Sequence, residues 1–133
     1  MKRYLSRLLA LVLVVTIGLM GCSSSSPNSL TGNYSQDTLT VVNIIRNAIE
    51  LPDDEPSKAA VQTEARQKIN DFSARYQRNT SVAGLSSFTT MRTALNSLAG
   101  HYSSYPNRPV PQKLKNRLEQ ELKQVESALQ RGA

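Results

Sequence analysis

The sequence predicts an all-α protein, an up-down-up-down four-helix bundle. Three observations carry that expectation. From about residue 36 onward, apolar residues recur three or four positions apart and no alternating strand pattern appears. The periodic stretches fall into four segments of about 15–22 residues, parted by short loops rich in Pro, Gly, Asn and Ser. Helices of similar length joined by short loops pack antiparallel to their neighbours, which is the bundle.

The first helix is expected over residues 36–50, with Leu39, Val42, Ile45, Ile49 and neighbouring Val41 facing inward. "LPDDEP" ends it: Pro52 and Pro56 break the pattern, and Asp53 or Asp54 can cap free N–H groups of the next helix. The second helix is expected over 57–78. Its Val61, Ala65, Ile69, Phe72 and Tyr76 stand 4, 4, 3 and 4 apart, which is one helical face. "NTSVAGLSS" reads as a turn, and Ser86 or Ser87 as the cap of the third helix. That helix carries Phe88, Met91, Leu95, Leu98 and Tyr102 as its stripe. "SSYPNRPVP" is a loop punctuated by proline, and Pro111 suits the first turn of the fourth helix. Leu114, Leu118, Leu122, Val125 and Leu129 form the last stripe, which ends near Gly132. The Tyr76 and Tyr102 hydroxyls are expected to reach the surface, because a buried hydroxyl needs a partner.

The first residues have a different character. Lys2, Arg3 and Arg7 precede an uncharged run of 12 residues, 8–19. That is too short to span a bilayer, which takes roughly 20 apolar residues, and it fits the apolar region of a signal peptide. Leu19, Met20, Gly21 and Cys22 resemble the bacterial lipobox, whose cysteine becomes the first mature residue and carries lipid. Cys22 is thus the expected lipid attachment site and the link to a membrane. The expected organisation is a lipoprotein signal peptide at 1–21, a serine-rich tether at 22–34 and the bundle at 35–133. The full chain carries +6, but cleavage before Cys22 leaves 13 basic and 10 acidic residues, net +3. An exported chain does not normally meet nucleic acid, so none is expected as a partner. With Cys22 lipidated no thiol remains, which excludes disulfides and thiolate catalysis.

Signals for catalysis are nearly absent. The single histidine, His101, is placed near the end of the third helix, where a capping role is expected. Asp53, Asp54 and Glu55 match no calcium loop and read as capping and solvation. There is no glycine-rich phosphate loop and no nucleophile elbow. Neither enzyme activity nor a cofactor or metal is expected.

The charge pattern says more. Residues 72–118 contain no acid and carry Arg75, Arg78, Arg92, Arg108, Lys113, Lys115 and Arg117. Residues 22–71 are net −3 by contrast. Surfaces usually mix signs. Lys113, Lys115 and Arg117 sit at a helix start, where the dipole favours anions, and each costs roughly 0.3–1 kcal/mol there. Lys115 with Glu119 and Arg117 with Glu121 are i,i+4 pairs in the weaker order. The third helix shows Thr89, Thr90, Thr93, Asn96 and Ser97 outward, with Arg92 the only charge. Interface cores are depleted in charge, so a charge-poor helix with basic flanks reads as a docking face with a steering rim. The candidate partner-binding residues are Arg75, Arg78, Arg92, Asn96 and Arg108. The acidic "PDDEP" loop shares an end of the bundle with the Arg108–Arg117 cluster and can neutralise part of it, so Arg75, Arg78 and Arg92 carry more weight.

Three stretches together resemble a known family. They are "LTGNYSQDTLTVVNIIRNAIELP" at 30–52, "INDFSARYQR" at 69–78, and "SSFTTMRTALNSLAGHYSSYPNRPVPQKLKNRLEQELKQVESALQRGA" at 86–133. They are similar to the cyanobacterial photosystem II lipoprotein family Psb twenty-seven. The resemblance implies a right-handed four-helix bundle, anchored by lipid on the lumenal side of the thylakoid membrane and monomeric. It implies an assembly and repair factor that transiently binds the lumenal face of the CP forty-three inner-antenna protein in immature photosystem II. That role keeps the manganese site accessible until maturation, without enzyme activity or a bound metal. The loop "QRNTSVAG", 77–84, is variable, so no contacts carry over there. Two rivals are a permanently bound extrinsic subunit, like the PsbQ-like lipoprotein, and a general periplasmic helical lipoprotein.

Overall fold

A computed structural model describes residues 30–106 and 108–133. The leader, Cys22 and most of the expected tether lie outside those residues. Five helices follow one another: α1 (Tyr34–Glu50), α2 (Lys58–Tyr76), α3 (Thr80–Ala83), α4 (Ser86–Ser104) and α5 (Gln112–Gln130). No strand occurs among the described residues. The four long helices make the expected all-α bundle. Around it α1 packs on α2, α2 on α4, α4 on α5 and α5 back on α1. The single-turn α3 fills the stretch expected to be a plain turn. Asn79 caps it by accepting from the Ser81 N–H, and Val82 is buried.

The stripes of α2, α4 and α5 meet in one core. Ile69, Phe72, Tyr76, Phe88, Met91, Leu95, Leu98, Tyr102, Leu118, Leu122 and Val125 are all buried in it. Val61, Leu114 and Leu129 pack at the edges. α1 departs from its expected face. Val41, Val42, Ile45 and Ile49 are buried, but Ile44 and Ala48 join them, and Leu39 is 40% exposed. α1 lies between α2 and α5 and buries a wide arc. Leu39 falls on the opposite side.

Helix ends also differ from expectation, for identifiable reasons. α1 starts at Tyr34, two residues early, because the Asn33 side chain accepts from the Gln36 N–H at 3.1 Å. Leu30 and Tyr34 pack against the core, so the last residues of the expected tether belong to the folded unit. Neither Asp53 nor Asp54 caps α2: Ser57 holds the cap position without a side-chain cap bond, its hydroxyl donating to Glu55 instead, while Asp53 pairs with Lys58. Neither serine caps α4, where Leu85 stands at the cap. Ser87 is used for tertiary bonding instead. Its hydroxyl meets Tyr34 Oη at 2.8 Å, and its N–H donates to the C-terminal Ala133 carbonyl at 3.1 Å. Pro111, expected in the first turn of the last helix, is the cap of α5, directly before Gln112.

Of the two i,i+4 pairs on α5, only Arg117–Glu121 forms, at 3.1 Å. Glu119 turns instead to Arg46, which donates through Nε and also meets Glu126. That trio ties α1 to α5.

Candidate functional site

The structure separates the five residues that the sequence grouped. Arg75, in the last turn of α2, faces α1, with its guanidinium 3.6 Å from the buried Asp37 carboxylate. It is therefore partly neutralised, contrary to the weight placed on it as uncompensated. Arg78 lies exposed just past α2, and Arg92 is exposed on α4. Neither has an ion pair within 4 Å among the described residues. Arg108 is at the far end, stacked over Tyr105 at 5.5 Å from the ring centroid.

Arg92 and Asn96 do come together. One turn apart on α4, they share a cavity of about 190 Å³ with Phe72, Ser73 and Gln77 of the α2 end and with Phe88 and Leu95. The rim is one cation and three neutral polar groups; the floor is aromatic and aliphatic. No acid lines it.

The outer face of α4 is less polar than its composition suggests. The hydroxyls of Thr89, Thr93 and Ser97 each donate to the carbonyl four residues back, at 3.3, 3.1 and 3.0 Å. Their hydrogen-bonding capacity is turned inward to the helix. Thr90 and Ser97 are half-buried, while Thr89, Arg92, Thr93 and Asn96 are exposed.

At the far end, the two loops meet as the sequence suggested. Asp53, Glu55, Lys58, Arg66 and Arg108 line a common groove of about 510 Å³ with Pro106 and Pro109. A hydrogen bond from Lys58 and the nearby charge of Lys115 hold the Asp53 carboxyl below the usual range. Acid thus offsets part of this cationic end. His101 is in the last turn of α4, with Nε2 3.3 Å from the Arg108 carbonyl and its ring beside Tyr102 and Tyr105. It ties the loop to the helix. No group of three or more His, Cys, Asp or Glu side chains among the described residues could hold a metal. No described helix is long and apolar enough to cross a membrane.

Both tyrosine expectations fail. Tyr76 is buried, and its hydroxyl donates to Asp37. Asp37 also accepts from the Thr31 N–H at 2.6 Å, the Thr31 hydroxyl at 2.9 Å and the Gly32 N–H at 2.9 Å. Burial alone would raise the Asp37 pKa, but these donors outweigh it and hold it below the ordinary carboxylate value. Burial, with the Asp37 charge, pushes Tyr76 up to about 12. Sequence reasoning missed this knot although a signal was present: Asp37, Val41 and Ile45 stand four apart, which puts the carboxylate on the buried face. Tyr102 is buried too, and its hydroxyl has no hydrogen-bond partner among the described residues. Burial pushes it up to about 12, against the nearby charge of Arg66.

The described residues thus form a small helical bundle with no metal cluster, whose most distinctive surface is an acid-free, cation-rimmed seam between α2 and α4. The family model for photosystem II Pbs27 matches residues 8–129, and the chain belongs to that family. A Thermosynechococcus vestitus protein named photosystem II assembly factor lipoprotein Psb27 is 58% identical over 133 residues, covering 100% of this chain and 98% of its own length. The Synechocystis photosystem II lipoprotein Psb27 is 58% identical over 132 residues, 99% of this chain and 97% of its own. The solution structure of Psb27 from cyanobacterial photosystem II superposes with a TM-score of 0.76 at 56% identity, over 84% of this chain and 96% of the other. The Arabidopsis thaliana PSB27 crystal structure gives 0.73 at 34% identity, over 75% and 98%.

Proposed function

We propose that this chain is a lipid-anchored assembly and repair factor of photosystem II. It sits on the lumenal side of the thylakoid membrane and transiently binds the CP forty-three antenna protein of immature complexes, leaving the manganese site accessible. The observation that carries the role is the match along nearly the whole chain to relatives named as assembly-factor and photosystem II lipoproteins. The remainder rests on the resemblance already given and on the α4 face. A factor that must leave needs a modest interface, near the small end of the size range. Fractionation tests the role. The protein should accompany immature monomers and be missing from active dimers. Equal amounts on active dimers would favour a permanent extrinsic subunit.

The anchor makes its own prediction. Lipid on Cys22, at about 0.8 kcal/mol per buried CH₂, holds stably only with two or more chains. Cys22→Ser should move the protein from the membrane to the soluble fraction with its melting unchanged. An unmodified mature Cys22 in mass spectrometry would refute the anchor.

The docking face predicts rate effects. Arg78 and Arg92 have no ion pair within 4 Å among the described residues, so they can steer an acidic surface. Arg78→Glu and Arg92→Glu should slow association with immature cores by about tenfold at low salt, and the difference should shrink as the screening length falls to about 8 Å at physiological ionic strength. Asn96→Arg should raise the off-rate instead. Lys123→Glu, exposed on α5, should change little. Equal binding by all four variants would place the interface elsewhere.

A further inference from the structure

The seam between α2 and α4 carries more than one depression. Next along it from the Arg92 cavity is a smaller one of about 100 Å³, lined by Arg66, Ile69 and Asn70 of α2 and by Ala99, Tyr102 and Ser103 of α4. Ser73 to Arg66 on one wall and Arg92 to Ala99 on the other are each seven residues. At 1.5 Å per residue the two depressions stand about 10 Å apart. Among the described residues, neither has an acid in its lining. Each combines a cation with neutral donors: Arg92 with Asn96 and Gln77, and Arg66, which also borders the Asp53–Glu55 groove, with Asn70 and Ser103. Tyr102 lines the second, and its buried hydroxyl lacks a hydrogen-bond partner among the described residues. A buried hydroxyl left unpaired destabilises the fold, and an incoming acceptor relieves that.

We propose that this seam seats an extended, polyproline-II-like segment of a partner protein bearing two carboxylate side chains about three residues apart, one turn of such a segment at about 3.1 Å per residue. The first meets Arg92 and the second meets Arg66 and the Tyr102 hydroxyl. An apolar side chain beside the first rests on Phe72, Phe88 and Leu95. The inference rests on the docking role proposed above and supplies its occupant. Charge complementarity fixes the carboxylates, since Arg92 has no acidic partner of its own among the described residues. Size fixes the apolar part. The Arg92 cavity is well below the roughly 300 Å³ of a site for a drug-sized ligand, so it takes one side chain.

The test titrates the full-length protein with a fluorescent peptide of about twelve residues carrying two Glu about three apart with Leu beside the first. The same peptide with Gln for Glu is the control, and free glutarate and phosphatidylglycerol vesicles are the competitors. Changing Glu to Gln in the peptide, or Arg92→Gln in the protein, should weaken binding about tenfold, which is 1.4 kcal/mol. Tyr102→Phe should weaken it several-fold while leaving the melting midpoint unchanged or higher, because it removes an unpaired hydroxyl. Glutarate and vesicles should not compete. Equal binding of the Gln peptide, or of the Glu peptide to Arg92→Gln, overturns the proposal, as does competition by vesicles, which would assign the seam to a lipid headgroup. Unchanged affinity in Tyr102→Phe removes the second carboxylate seat. Immature cores are titrated with the same variants. Cores that lose affinity in Arg92→Gln while the peptide fails to bind overturn the extended segment and leave the docking role standing. Cores that bind every variant equally overturn the docking role itself.

Discussion

Asp37→Ala should cost the bundle about 3 kcal/mol. Asp37 is fully buried at the start of α1, where it holds the Thr31 and Gly32 backbone amides, the Thr31 hydroxyl and the Tyr76 hydroxyl. Hydrogen bonds to a charged acceptor contribute about 1.5–3 kcal/mol, more than neutral ones. When the carboxylate is removed, the amides of exposed Thr31 and Gly32 rehydrate, but Tyr76 stays buried with an unpaired hydroxyl. Arg75 is 44% exposed and can turn to water, so the loss stays below that of a wholly buried ion pair. Tyr76→Phe alone should cost less, because Asp37 keeps its backbone donors. The double variant should cost less than the two single losses together, since both act on one contact. Denaturant melts measure all three. A loss under 1 kcal/mol for Asp37→Ala would mean that the knot is not structural.

The knot also sets a pH dependence. The folded Asp37 pKa lies below its unfolded value of 3.8, so its contribution is fully present above that value and fades as pH falls below it. Tyr76 and Tyr102 have folded values raised to about 12 from 10.0. Their contributions are present below pH 10 and fade as pH rises from there toward 12. Stability should therefore fall at both extremes. The acid limb should flatten in Asp37→Asn.

Local spacing made the core of α2, α4 and α5 legible, because each of those helices packs a narrow stripe with steps of three or four. It was less reliable for α1. A helix touching two neighbours buries a broad arc, and the steps of three from Leu39 through Val42 to Ile45 picked one edge of it. Ser87 shows a second limit. Its sequence context signals a cap, but Tyr34, 53 residues away, and the C-terminal carbonyl claim its hydroxyl and amide. Tyr76 repeats the lesson, with a partner 39 residues upstream. The candidate site follows the same division. Arg92 and Asn96 line one cavity because they share one exposed helix face. Arg75 was overrated because its partner lies on another helix, and the Arg66–Tyr102 depression was missed because its two walls are far apart in sequence.

Phe72→Ala should produce a loss of about 3–5 kcal/mol, the range for emptying a buried aromatic site. The ring is 1% exposed. Its centroid lies 5.0 Å from that of Tyr76 and 6.4 Å from those of Tyr34 and Phe88, at tilted angles that suit ring quadrupoles. It therefore joins three elements, α1 through Tyr34, α2 itself and α4 through Phe88. Truncation leaves a void that cannot close without moving all of them. Phe72→Leu conserves much of the volume and should cost less than about 1.5 kcal/mol. The pair separates two roles of one residue, because Phe72 is also the floor beneath Arg92. If that floor matters only by keeping α2 and α4 apart at the right distance, Phe72→Leu should dock on immature cores as the wild type does. If an incoming side chain rests on the ring, Phe72→Leu should dock several-fold more weakly while its urea midpoint moves little. A Phe72→Ala protein that loses less than 1 kcal/mol in urea would contradict this packing of α2 against α4.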